Sequence, residues 1–132
     1  MFSAVLVLAG CSKKQEPDQT ASDPAPSTTT APSTAPVDPV AKGKQIFRDR
    51  CVPCHGATGH GDGPASASLN PKPRQYADPA WQASVDDAYL EKIIKYGGAA
   101  VGKSPAMPNN PDLDPATITA LKDIVRGFNP TK

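Results

Sequence analysis

A run of the roughly 18 or more apolar residues that a membrane-spanning helix needs is missing from the 132-residue chain, which excludes a multi-spanning membrane protein. Aromatic side chains are scarce as well: three Phe, three Tyr and one Trp. So few rings make a thin core, and something other than side chains is expected to fill part of it. Three cysteines are too few and too unevenly spaced for a disulfide framework. Neither sign of charge prevails, with 14 Lys and Arg against 13 Asp and Glu, so the basic face of a nucleic-acid binder is not expected. The length leaves room for one domain and excludes a large catalytic fold with a deep substrate cleft. What the chain has in excess is proline, 16 residues, together with 10 glycines.

The first residues, Met1-Phe2-Ser3-Ala4-Val5-Leu6-Val7-Leu8-Ala9-Gly10-Cys11, form an apolar run that ends in small residues and a cysteine. The pattern resembles a bacterial lipoprotein signal. The resemblance implies that residues 1–10 are removed and that Cys11 takes a diacylglyceryl thioether as the new N-terminus. No Lys or Arg precedes the run, although a signal peptide opens on a positively charged stretch, so the expected start lies upstream of Met1. Such an anchor puts a protein on a membrane surface outside the cytoplasm, on the periplasmic side of a bacterial membrane, with no helix crossing it. Residues 11–40 then change character. Pro17, Pro24, Pro26, Pro32, Pro36 and Pro39 lie among Ser, Thr and Ala, and no periodicity of 2 or 3.6 survives. This composition buries too little apolar surface to offset ordering entropy. It reads as an extended tether, partly polyproline II, ahead of a folded domain over residues 41–132.

The chemistry is concentrated in Cys51-Val52-Pro53-Cys54-His55. C-x-x-C-H reads as a covalent c-type haem attachment: two thiols reach the two vinyl groups on one porphyrin edge, and the next residue turns its imidazole onto the iron. Two rival readings fit less well. A thioredoxin-like pair wants a preceding strand and an α/β domain, which the glycines and prolines after His55 do not supply. A zinc site wants four ligands, and only Cys51, Cys54, His55 and His60 stand near one another. The second axial ligand is a histidine or a methionine. Met107 is the sole methionine outside the N-terminal run, and Pro105 and Pro108 stiffen its loop. His60, five residues past His55 in a glycine-rich turn, is expected to be a solvated loop histidine.

Past the haem motif the chain reads Gly56-Ala57-Thr58-Gly59-His60-Gly61-Asp62-Gly63-Pro64. Residues 41–132 thereby resemble a class I cytochrome c of the bacterial branch. The resemblance implies an all-α fold of three main helices and long loops wrapped around one covalent haem c, with His55 and Met107 as axial ligands of a low-spin iron. It implies that the Pro64 carbonyl accepts the ring N–H of His55, and that Gly43 and Phe47 pack against the last helix. Arg74, helped by Tyr76 or Trp81, is the candidate to meet a haem propionate, since a buried indole N–H needs a partner and a carboxylate is a good one.

Apolar periodicity places the three helices. The first runs from Lys42 to about Arg50, with Gly43, Ile46, Phe47 and Arg50 on one face. The second is capped by Asp86 or Ser84, carries the stripe Val85, Tyr89, Leu90, Ile93 and Ile94, and stops at Gly97-Gly98. The last runs from about Pro115 to Arg126 behind an Asp114 cap, burying Ile118, Leu121, Ile124, Val125 and Phe128. The expected activity is one-electron transfer by a monomer rather than catalysis. Its expected partners are transiently met redox proteins: a quinol-oxidising complex, a terminal oxidase or a periplasmic reductase. The competing functions are a haem enzyme or a gas- or peroxide-binding sensor with Met107 off the iron, and an accessory haem subunit of a larger complex.

Overall fold

Three Asp-Pro pairs each begin a helix. An Asp carboxylate takes the free N–H groups of the first turn, and a proline at the first helical position gives up an N–H that would have no partner. Asp38 accepts from Val40 and Ala41 at 3.0 and 3.3 Å and starts α1, Pro39–Ile46. Asp78 accepts from Ala80 and Trp81 and starts α3, Pro79–Ser84. Asp114 accepts from Thr117 at 2.8 Å and starts α5, Pro115–Gly127. Between them lie α2, Val52–His55, and α4, Asp87–Tyr96, which Asp86 caps by accepting from the Tyr89 N–H at 2.7 Å. The computed structural model describes residues 38–131. The lipoprotein-type segment, Cys11 and nearly all of the tether therefore lie outside the described residues. Among the described residues there is no strand, and no helix is long and apolar enough to cross a membrane. The fold is all-α, with the long loops the sequence leads one to expect.

Two boundaries differ from the periodicity reading. The first helix begins at Pro39 rather than Lys42, because Asp38 and Pro39 form a cap inside what composition reads as tether. It also does not continue unbroken to Arg50. From Phe47 to Cys51 the backbone widens into a π-helical turn, in which the Val52 N–H reaches back five residues to the Phe47 carbonyl. Such turns often mark functional positions, and this one leads directly into α2. The short α3 has too few residues for a periodic pattern to reveal it. Ser84, one of the two candidate caps for α4, instead ends α3 and donates its hydroxyl to the Trp81 carbonyl.

α1 packs across α5. A Cβ on Gly43 would stand only 3.0 Å from the Ala120 Cβ, so the close approach of these helices depends on glycine there, as expected. Phe47 meets Phe128 with ring centroids 5.6 Å apart. The core consists of Phe47, Tyr76, Leu90, Ile94, Leu113, Ile118, Leu121 and Val125, with Ile124 and Phe128 partly buried against it.

One buried polar knot joins α3, α4 and α5. Gln82 is only 3% exposed. Its amide nitrogen donates to the Tyr76 and Val125 carbonyls at 2.8 and 2.9 Å. Arg126 donates to both Gln82 oxygens, to the Val85 carbonyl and to Asp87. Removing the guanidinium leaves several of these acceptors without partners in a largely buried place. Arg126→Ala is expected to cost about 2–4 kcal/mol, read as a lower urea midpoint at unchanged m-value.

Candidate haem-binding site

The π-helical turn and α2 present Phe47, Arg50, Cys51, Cys54 and His55 to one cavity. The cavity is about 1000 Å³, at the upper end of the roughly 300–1,000 Å³ usual for ligand sites. Its walls are mostly apolar: Trp81 of α3, Val85 behind it, Tyr89, Leu90, Ile93 and Ile94 of α4, and Leu121 and Val125 of α5. The loop after α4 contributes Met107 and Pro108 to the lining. That loop is folded by backbone bonds from Met107 to the Ser104 carbonyl and from Gly98 to the Met107 carbonyl, at 3.2 and 3.0 Å.

The structure therefore brings Cys51, Cys54, His55, Met107, Arg74 and Trp81 to a single cavity. His60 lies elsewhere, exposed and bonded within its own turn to Thr58. Pro64 is not in the cavity wall. It opens a 3₁₀ turn, Pro64–Ser68, and the expected bond from His55 goes to another acceptor. The His55 Nδ1 pairs with the Arg74 carbonyl at 3.0 Å. Gly61 and Gly63 donate to the His55 and Cys54 carbonyls at 2.8 and 3.2 Å, so the glycine-rich segment seals the end of α2. In this structure the Arg74 carbonyl, not that of Pro64, is the partner of the His55 ring.

Gly63 runs so close beneath α2 that a Cβ would strike the Val52 and Pro53 carbonyl oxygens. Backbone carbonyls cannot rotate away as a flexible side chain can. Gly63→Ala is expected to lower the thermal midpoint by roughly 10 °C or more in a differential scanning measurement.

The scarce aromatics cluster on the His55 side. Tyr76, 6% exposed, stacks on the imidazole at 4.4 Å and 14°. Phe47, Trp81 and Phe128 surround Tyr76 at centroid distances of 6.5, 5.7 and 6.0 Å. The Tyr76 backbone is pinned from two sides, by its N–H on the Gly59 carbonyl at 2.6 Å and by Gln82 on its own carbonyl. At the rim the Arg74 guanidinium lies 5.9 Å from the Trp81 ring centroid, within cation–π range.

Burial pushes the His55 pKa down, and the bond to Arg74 offsets this only in part. The imidazole is neutral at pH 7, its Nδ1–H donates to the carbonyl, and Nε2 keeps a free lone pair for a metal. Burial also pushes the Cys51 thiol up to about 11, although the Arg50 charge pulls the other way. A dithiol redox catalyst needs the reverse, a thiol lowered so that the thiolate can attack. The Cys51 thiol is thus not set up as such a nucleophile. Two thiols, a neutral imidazole and a thioether around one apolar cavity form the donor set that suits a haem with thioether links and nitrogen and sulfur axial ligation.

Residues 40–126 match the family model described as cytochrome c. A curated relative, the cbb3-type cytochrome c oxidase subunit FixP of Bradyrhizobium diazoefficiens, is 37% identical over 81 residues, which are 61% of this chain and 24% of the relative. The chain thus spans about a quarter of the length of that relative. Among solved structures, the KustC0563 c-type cytochrome matches with a TM-score of 0.51 and 30% identity, over 66% of this chain and 96% of that one.

Proposed function

The chain belongs to the cytochrome c family, electron carriers built around haem c, and from that premise we propose that it is a monohaem carrier of class I with His55 and Met107 as axial ligands. The observation that carries this reading is the convergence of Cys51, Cys54, His55 and Met107 on one apolar cavity, three of them from α2 and the turn before it and the fourth from the loop after α4. When bound, haem c supplies a one-electron Fe(III)/Fe(II) couple. Cys51 and Cys54 would hold its edge through thioethers. His55 is kept neutral and oriented by the Arg74 carbonyl and by Tyr76 stacked on its face, and it offers Nε2. Met107, on the loop after α4, would offer its thioether. Mostly apolar walls around the group would, together with a methionine ligand, favour a raised potential. Arg74 and Trp81 stand at the rim as partners for a propionate.

In the full arrangement Cys11 carries the lipid, the residues after it up to Val37 tether, and the domain that starts at the Asp38 cap swings on the periplasmic side of a membrane. Confinement there raises the frequency of encounters with membrane-bound redox partners. The relative named as an oxidase subunit favours an oxidase among those partners, ahead of a quinol-oxidising complex or a periplasmic reductase. The test is a potentiometric titration of the haem-loaded protein with optical readout. One reversible one-electron step is expected, with no peroxidase turnover and no carbon monoxide binding by the reduced form. Ready carbon monoxide binding overturns the carrier reading in favour of an open-site enzyme or sensor.

A further inference from the structure

The two walls that carry the proposed axial ligands are joined by hydrogen bonds at one place among the described residues. Arg50 stands directly before Cys51. Its Nη1 donates to the Asn110 Oδ1 at 3.0 Å and to the Asp112 Oδ1 at 2.9 Å, and its Nη2 donates to the Asp112 Oδ2 at 2.8 Å. The pairing is the two-pronged guanidinium–carboxylate geometry, stronger and more directional than a single contact. Asn110 is itself fixed, with its side chain on the Ile94 carbonyl and its N–H on the Lys95 carbonyl, both at 2.9 Å. The remaining hydrogen bonds of the Met107 loop run within the loop or back to α4. Without Arg50 the loop is anchored behind the cavity but not across it.

We propose that Arg50 is a positioning residue that clamps the Met107 loop against the haem-attachment segment through Asp112 and Asn110, so that the thioether stays on the iron in both oxidation states. The proposal rests on the reading of Met107 as a ligand. A clamp at this place suits an electron carrier, because a weakly binding thioether is kept by the loop that holds it. The pair is half-exposed, with 44% and 53% of the two side chains accessible, so salt screens it in part.

The test is titration of the oxidised, haem-loaded protein with imidazole, which binds only when the thioether has left. The apparent affinity reports the population of the open loop. Arg50→Gln is expected to tighten imidazole binding roughly five-fold. Asp112→Asn is expected to do the same and keeps the test alive if the Arg50 variant fails to fold. The double variant is expected to go no further than either single one, and Arg50→Lys to recover part of the effect. In the wild type, added salt is expected to tighten imidazole binding, and in Arg50→Gln to leave it unchanged. Lys42→Gln breaks the separate Lys42–Asp114 pair and is expected to match the wild type. A merely structural role for Arg50 would shift unfolding without this salt signature. Wild-type imidazole affinity and salt response in both Arg50→Gln and Asp112→Asn overturn the clamp alone, provided that Met107→Ala binds imidazole more tightly. If Met107→Ala also binds it as the wild type does, the ligand reading fails and the clamp with it.

Discussion

Replacing Cys51 and Cys54 together by alanine is expected to abolish covalent haem retention, so that the denatured chain gives no haem stain and its intact mass shows no added porphyrin. The loss extends to folding. The cavity these residues border is about 1000 Å³, and without haem its apolar lining has nothing to pack against, a heavy loss for a domain whose whole stability is typically roughly 5–15 kcal/mol. The double variant is therefore expected to accumulate poorly and to unfold without a cooperative transition. Either single variant keeps one thioether and should retain haem at reduced yield. A double variant that folds cooperatively without haem contradicts the placement of the group in this cavity.

Met107→Ala is expected to have the next largest effect, on function rather than folding. The loop that carries Met107 is closed by its own backbone bonds, from Met107 to Ser104 and from Gly98 to Met107, so it survives loss of the side chain. What goes is the sulfur ligand. The reduction potential is expected to fall by on the order of 0.1 V, within the roughly 0.8 V that axial ligands span. The open position is expected to bind imidazole in the oxidised form and carbon monoxide in the reduced form. Unchanged potential and no new ligand binding exclude Met107 as the axial ligand.

Signals read from side chains anticipated the structure well. The C-x-x-C-H pentapeptide, the lone Met107 between prolines and the Gly43–Phe47 pair are identity signals, and all of these residues stand on or beside the cavity or on the helix crossing the sequence led one to expect. The Asp114-Pro115 start was legible for the same reason. Its two counterparts were equally written in the sequence but masked by context: Asp38-Pro39 lies at the end of a proline-rich stretch, and Asp78-Pro79 opens a helix too short for a periodic pattern. Signals that live in the backbone were not legible. Any residue has a carbonyl, so nothing in the side chains distinguishes Arg74 from Pro64 as the acceptor for His55. The π-helical turn from Phe47 to Cys51 has no residue signature either. The knot of Gln82 and Arg126 escaped for a third reason. It joins residues 44 positions apart, a pairing that only the packing of α3 on α5 creates.

The central claim is that His55 and Met107 hold one haem iron from opposite sides. The near-infrared and visible spectrum of the oxidised protein tests it most directly. The account predicts a low-spin spectrum with a weak near-infrared sulfur-to-iron band that disappears in Met107→Ala. High-spin bands in the wild type, with no sulfur-to-iron band, contradict it.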